Sequence, residues 1–122
     1  MLSSLDLAAV NSFLITARKE IDKNNAYFVY YRNVKSGNKV VNARQALLDI
    51  GIIKISEIWN HIKELQASDC FRISRDRDFS RDFNAEIYEF KKIINRKNVY
   101  IKLTINDKGL LCISFHINNG GN

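Results

Sequence analysis

Proline is absent from this chain of 122 residues, and cysteine, methionine and tryptophan are scarce at two, one and one. Cys70 and Cys112 are too few for a disulfide framework, and neither stands in a C-x-x-C or Cys/His pattern that would hold zinc. A reducing compartment is the expectation. No apolar run reaches the length needed to cross a bilayer. The opening MLSSLDLAAVNSFLITARKE carries Asp6 inside its apolar stretch with no basic residue before it, which is wrong for a secretory signal. A cytoplasmic protein with no membrane partner is therefore expected. The chain also lacks G-x-x-x-x-G-K-[ST], G-x-G-x-x-G and G-x-S-x-G, so nothing points to a nucleotide cofactor or a hydrolase elbow. His61 has only Glu57 and Glu64 for company on a charged helix face, and it reads as solvated, not as a metal ligand.

What is present is ordinary globular composition, 46% hydrophobic and 26% charged, in a length that holds one core. A single domain over 1–122 is expected, with a loose tail from about 118. Nineteen Lys and Arg against thirteen Asp and Glu give a net charge of +6, a field that draws anions such as phosphate backbones or acidic proteins.

Ser3 or Ser4 can cap a first helix, with Asp6 near its positive end and Leu7, Val10, Leu14, Ala17 and Ile21 at helical spacing. That helix fades at Lys23-Asn24-Asn25. AYFVYYRNV, rich in aromatic and β-branched residues, reads as a strand ending near Lys35-Ser36-Gly37-Asn38. Asn42 caps a short helix that stops around Gly51, and Ser56 caps another bearing Ile58, Trp59, Ile62 and Leu65; the two look like a helical hairpin. Ser74 to Glu86 mixes both charges and reads as a connection. EIYEFKK offers a strand with Tyr88 and Phe90 on one face and Glu89 and Lys91 on the other, a helix running to Ile94 being the competing reading.

Two clear strands follow, Val99, Ile101, Leu103 and Ile105 alternating with Tyr100, Lys102 and Thr104, then Leu111, Ile113, Phe115 and Ile117 alternating with Cys112, Ser114 and His116. Asn106 to Gly109 is the turn signal between them. Residues opposite one another share a face, so with these two alternations paired positions sum to an even number. A simple turn that pairs Ile105 with Leu110 breaks that parity. A β-bulge, or a loop one residue longer or shorter, is therefore expected. If Ile105 pairs with Leu111, Thr104 meets Cys112, Lys102 meets Ser114 and Tyr100 meets His116.

A face carrying phenol, ammonium, hydroxyl and imidazole has the groups to hold and cleave a phosphodiester. Histidine moves a proton near neutral pH, lysine neutralises phosphoryl oxygens, and tyrosine orients a phosphate or stacks on a base. Cys112, between Leu111 and Ile113, reads as structural.

The stretch from about Asn42 to Ile117 resembles the MqsR-like toxins of type II toxin-antitoxin modules. The resemblance rests on NARQALLDIGI, LQASDCF, EIYEF, NVYIKL and CISFH, the last two being the most specific. It implies a RelE-like α+β fold, a small antiparallel sheet packed against two or three helices. It implies an mRNA interferase, an endoribonuclease working without metal or cofactor, with mRNA and a cognate antitoxin protein as partners. The catalytic set falls on Arg72, Glu89, Tyr100, Lys102 and His116, and RNA-binding residues on Tyr88, Ser114, Arg75 and Lys91. Well-characterised members have Lys at the positions of Arg72 and His116 and Gln at that of Glu89. Arginine does not donate a proton readily, so Arg72 is expected as a phosphate clamp, with His116 or Glu89 moving protons. Two other function classes stay open from the residues themselves: an RNA-binding face that does not cut, and an interaction module pairing its AYFVYY strand with a partner.

Overall fold

The computed structural model describes residues 2–74 and 86–118. Ser3 caps α1 (Ser4–Asp22) in a reciprocal box, its Oγ accepting from the Asp6 amide at 3.1 Å while the Asp6 carboxylate accepts from the Ser3 amide at 3.2 Å. The helix buries Val10, Phe13, Leu14 and Ala17 and ends at Lys23. Of AYFVYYRNV only Ala26–Phe28 enters the sheet, as β1, with Val29 adding one amide bond to the Cys112 carbonyl. The expected long strand breaks there, leaving Tyr30 and Tyr31 largely exposed. The chain then makes a separate antiparallel hairpin, β2 (Asn33–Ser36) and β3 (Lys39–Asn42), around Gly37 at φ +63°.

Asn42 caps α2 (Ala43–Ile50), its side chain accepting from the Gln45 amide at 2.8 Å, and Gly51 ends it in the left-handed region. α3 (Glu57–Lys63) buries Ile58 and Ile62, although Ser56 makes no side-chain cap bond. The expected helical hairpin of α2 and α3 does not form: α2 lies against the last strand, and α3 packs on α1. Arg18 of α1 donates to the carbonyls of Lys63 and Leu65, and Lys63 pairs with Asp22 at 2.7 Å.

A 3₁₀ turn at Ala67–Asp69 leads into β4 (Cys70–Ser74), and β5 (Ile87–Ile94), β6 (Lys97–Asn106) and β7 (Gly109–Ile117) follow. The strand reading of EIYEFKK holds, and β5 runs on to Ile94. The five-stranded order is β1-β7-β6-β5-β4. All neighbours are antiparallel except β1 and β7, so the sheet is mixed where a purely antiparallel one was expected. The class is α+β. One face carries Phe90, Ile101, Leu103, Cys112 and Phe115 into the core with α1 and α3. Asn118 extends the end of β7 with an amide bond to the Asn98 carbonyl; the rest of the expected tail lies outside the described residues.

Two β-bulges decide which side chains leave the core. In β7 the turn is the simple one, Ile105 opposite Leu110, and the parity is restored between Cys112, opposite Leu103, and Ser114, opposite Lys102. Ile113 is the extra residue. The core alternation is therefore Leu110 and Cys112 before the bulge and Phe115 after it, not Leu111, Ile113 and Phe115 throughout. In β4 the same device sets Phe71 between Cys70, opposite Phe90, and Arg72, opposite Glu89.

Candidate active site

The open face of the sheet carries two adjoining polar rows. Arg72, Glu89, Lys102 and Ser114 stand opposite one another across β4, β5, β6 and β7, and Lys91, Tyr100 and His116 form the next row. Antiparallel pairing puts each row on one face, and the two bulges bring Arg72 and Ser114 into it.

Glu89 is the hub. It is 2% exposed, yet its carboxylate accepts both Nε and Nη2 of Arg72 at 2.7 Å, and Ser74 Oγ at 2.7 Å. The Tyr100 hydroxyl donates to it as well. Burial pushes its pKa up, but these three donors and the Arg72 charge outweigh that and hold it at about 2. Burial, with the donation to Glu89, pushes the Tyr100 hydroxyl above its usual value, and Arg72 is raised by Glu89. At neutral pH this is a charged carboxylate anchoring a charged guanidinium and a neutral phenol. Arg72 itself remains 61% exposed, able to meet a ligand while its fork is held from behind.

His116 is 7% exposed and lies beside Tyr100, ring centroids 5.1 Å apart at 33°. Its Nδ1 sits 2.8 Å from the Ile117 carbonyl, which can only accept, so Nδ1 bears the proton and Nε2 carries the lone pair in the neutral ring. Burial lowers its pKa, the bond to Ile117 opposes this, and the Arg32 charge adds to the lowering. The imidazole is thus neutral at pH 7, with a basic nitrogen in a fixed orientation.

Phe71 supplies an aromatic floor, 6.1 Å from the Tyr100 ring and 4.5 Å from Lys91 Nζ, with the Arg72 guanidinium 5.7 Å from its centroid. Of the nine residues singled out from the sequence, the structure brings together Arg72, Glu89, Tyr100, Lys102, Ser114, His116 and Lys91. Tyr88 does not join them: it points to the core side and stacks on Phe13 at 4.0 Å and 22°, because it alternates with Glu89. Arg75, with most of the Ser74–Glu86 connection, lies outside the described residues. Sequence reasoning missed Ser74 and Phe71. Ser74 reaches the face through the β4 bulge, Phe71 alternates with the core-side Cys70, and the polar Ser74 two places after Arg72 was the available sign.

Among the described residues no three His, Cys, Asp or Glu side chains are grouped as a metal site. His61 lies across the sheet, 6.4 Å from the Phe115 ring. No described helix is long and apolar enough to cross a membrane. Among the described residues, a cleft of about 540 Å³ lies by Tyr27 and Gly109 and another of about 370 Å³ by Leu2 and Cys70, and Tyr100 and His116 line neither. The chain matches no protein-family model, and it matches no curated protein.

Proposed function

We propose that this protein is an endoribonuclease that cleaves mRNA through its own 2′-hydroxyl and needs no metal, acting as the toxin of a type II toxin-antitoxin module on a RelE/MqsR-like sheet. The observation that carries the reading is the oriented, neutral His116 imidazole beside Tyr100, one row away from the Arg72–Glu89 fork. His116 Nε2 takes the 2′-hydroxyl proton. The 2′-oxygen then forms its bond to phosphorus, the bond to the 5′-oxygen breaks, and the 5′-oxygen leaves as a hydroxyl on taking a proton from solvent water, His116 later returning its own proton to solvent. A 2′,3′-cyclic phosphate remains. Charge that builds on the phosphoryl oxygens is met by Arg72 and Lys102. Glu89, held at about 2, is too weak a base for the proton transfer, and its part is to position Arg72 and Tyr100. The toxin assignment and the cognate antitoxin rest on the sequence resemblance, which also supports the fold relationship.

The face also suits RNA binding without cleavage, a reading favoured by the Phe71 and Tyr100 rings beside Lys91. Purified protein incubated with mRNA in EDTA separates the two. Cleavage to cyclic-phosphate ends is expected, falling about 10²- to 10⁴-fold in His116→Ala. RNA that stays intact with folded, antitoxin-free protein defeats the enzymatic reading.

A further inference from the structure

Phe71 belongs to two places at once. In the candidate site its ring lies 6.1 Å from that of Tyr100, with Lys91 Nζ 4.5 Å and the Arg72 guanidinium carbon 5.7 Å from its centroid. The same residue lines the cleft of about 370 Å³ with Leu2, Leu7, Ser68 and Cys70. The cleft therefore adjoins the two cations through the Phe71 ring. Its volume is that of a small-ligand site, and Ser68 supplies the one hydroxyl among side chains that are otherwise hydrocarbon or thiol. The nearby acids are engaged: Asp6 accepts the Ser3 amide at 3.2 Å, while Asp69 accepts the Gln66 amide at 2.9 Å and pairs with Lys92 at 3.8 Å. An occupant that suits both cleft and cations has a flat apolar body joined by a short link to an anion. A nucleotide is built that way.

We propose that this cleft is a base-binding subsite: one RNA base enters it against Phe71, Leu2 and Leu7 with an edge at Ser68, while its phosphate lies on Arg72 and Lys91. This rests on the nuclease reading given above and adds where the RNA sequence is read. Stacking on an aromatic ring is open to every base, and a lone hydroxyl reads little of a base edge. Selection in the cleft is therefore by size, large base against small, and a largely apolar wall makes it modest. Leu7 is 37% exposed on α1, so the cleft can be filled from outside the core.

The probes are short single-stranded RNAs with 2′-O-methyl riboses, which bind and are not cut, one intact and the others lacking a single base at successive positions. Binding is measured by fluorescence anisotropy, and the leucine methyl signals are followed by NMR. Loss of the base that enters the cleft is expected to weaken binding about tenfold, and loss of the others less. The intact RNA should shift the methyls of Leu2 and Leu7. Leu7→Trp should weaken the intact RNA about tenfold and erase its advantage over the RNA lacking that base, since filling the cleft and deleting its occupant remove the same contact. Binding that Arg72→Gln weakens, combined with equal loss at every abasic position or with unmoved Leu2 and Leu7 methyls, overturns the subsite and leaves RNA binding by the face intact. Wild-type affinity in Leu7→Trp overturns it as well. If Leu7→Trp does not fold, the abasic series and the methyl shifts of the wild type decide. No RNA binding by the wild type removes both readings together.

Discussion

Glu89 shows how a residue of plain chemical type takes its role from its neighbours. As a side chain in a sequence it reads as a possible base; in the sheet it is saturated by Arg72, Ser74 and Tyr100 and has lost its basicity to them. Replacing it with Gln keeps the shape and removes the charge, leaving the Arg72 fork without its anion. Because Arg72 is 61% exposed and water screens its half of the pair, the cost falls below that of a wholly buried ion pair, at about 2 kcal/mol in urea unfolding. The pH dependence has a definite sign. Glu89 titrates at about 2 in the folded chain and near 4.5 when free, so its contribution is complete above about 4.5 and fades as pH falls toward 2. Wild type should lose stability over that window more steeply than Glu89→Gln, as followed by circular dichroism.

At the scale of elements, helix ends were the most legible part of the sequence. Ser3, Asn42 and Gly51 act locally, so their signals survive in the fold. The parity of β6 and β7 was legible too: it required an irregularity and kept Tyr100 opposite His116 and Lys102 opposite Ser114. The place of that irregularity was not legible, because a bulge inside β7 and a longer turn satisfy the same count. It lies at Ile113, and the Cys112 thiol, 3.5 Å from the Ser114 carbonyl, spans it as the Cys70 thiol spans the β4 bulge to Arg72. The length of β1 was illegible for a different reason. AYFVYYRNV has strand propensity throughout, but β1 stays beside β7 only as far as Val29, where the chain turns away to build β2. The close approach that admits β1 is visible at Gly109. Its φ is +126°, and a Cβ there would stand 2.3 Å from the Asn25 carbonyl oxygen. Gly109→Ala is expected to cost about 2–3 kcal/mol, with amide exchange quickened first at Val29.

For the molecule as a whole, the net charge of +6 acts together with a face on which Glu89 is one acid among Arg72, Lys91, Lys102 and His116. RNA affinity should fall linearly on a log–log plot against salt, losing about 0.7 per phosphate contacted on a single strand. A slope near zero in anisotropy titrations would show that this field does not act on RNA. Cleavage at saturating RNA should change far less with salt, since chemistry on the bound complex releases no counterions.

The parallel pairing of β1 with β7 joins Ala26 to Leu110, Tyr27 to Leu111 and Phe28 to Cys112 across nearly the whole described chain. Such a pairing raises the contact order of the fold and slows its folding. During synthesis α1 and β1 leave the ribosome early and have no partner strand to join until β7 has emerged. His116 sits on that same strand, and the Val29 amide is bonded to its Cys112 carbonyl. The row that sets Tyr100 opposite His116 is therefore complete only once β7 has joined β6.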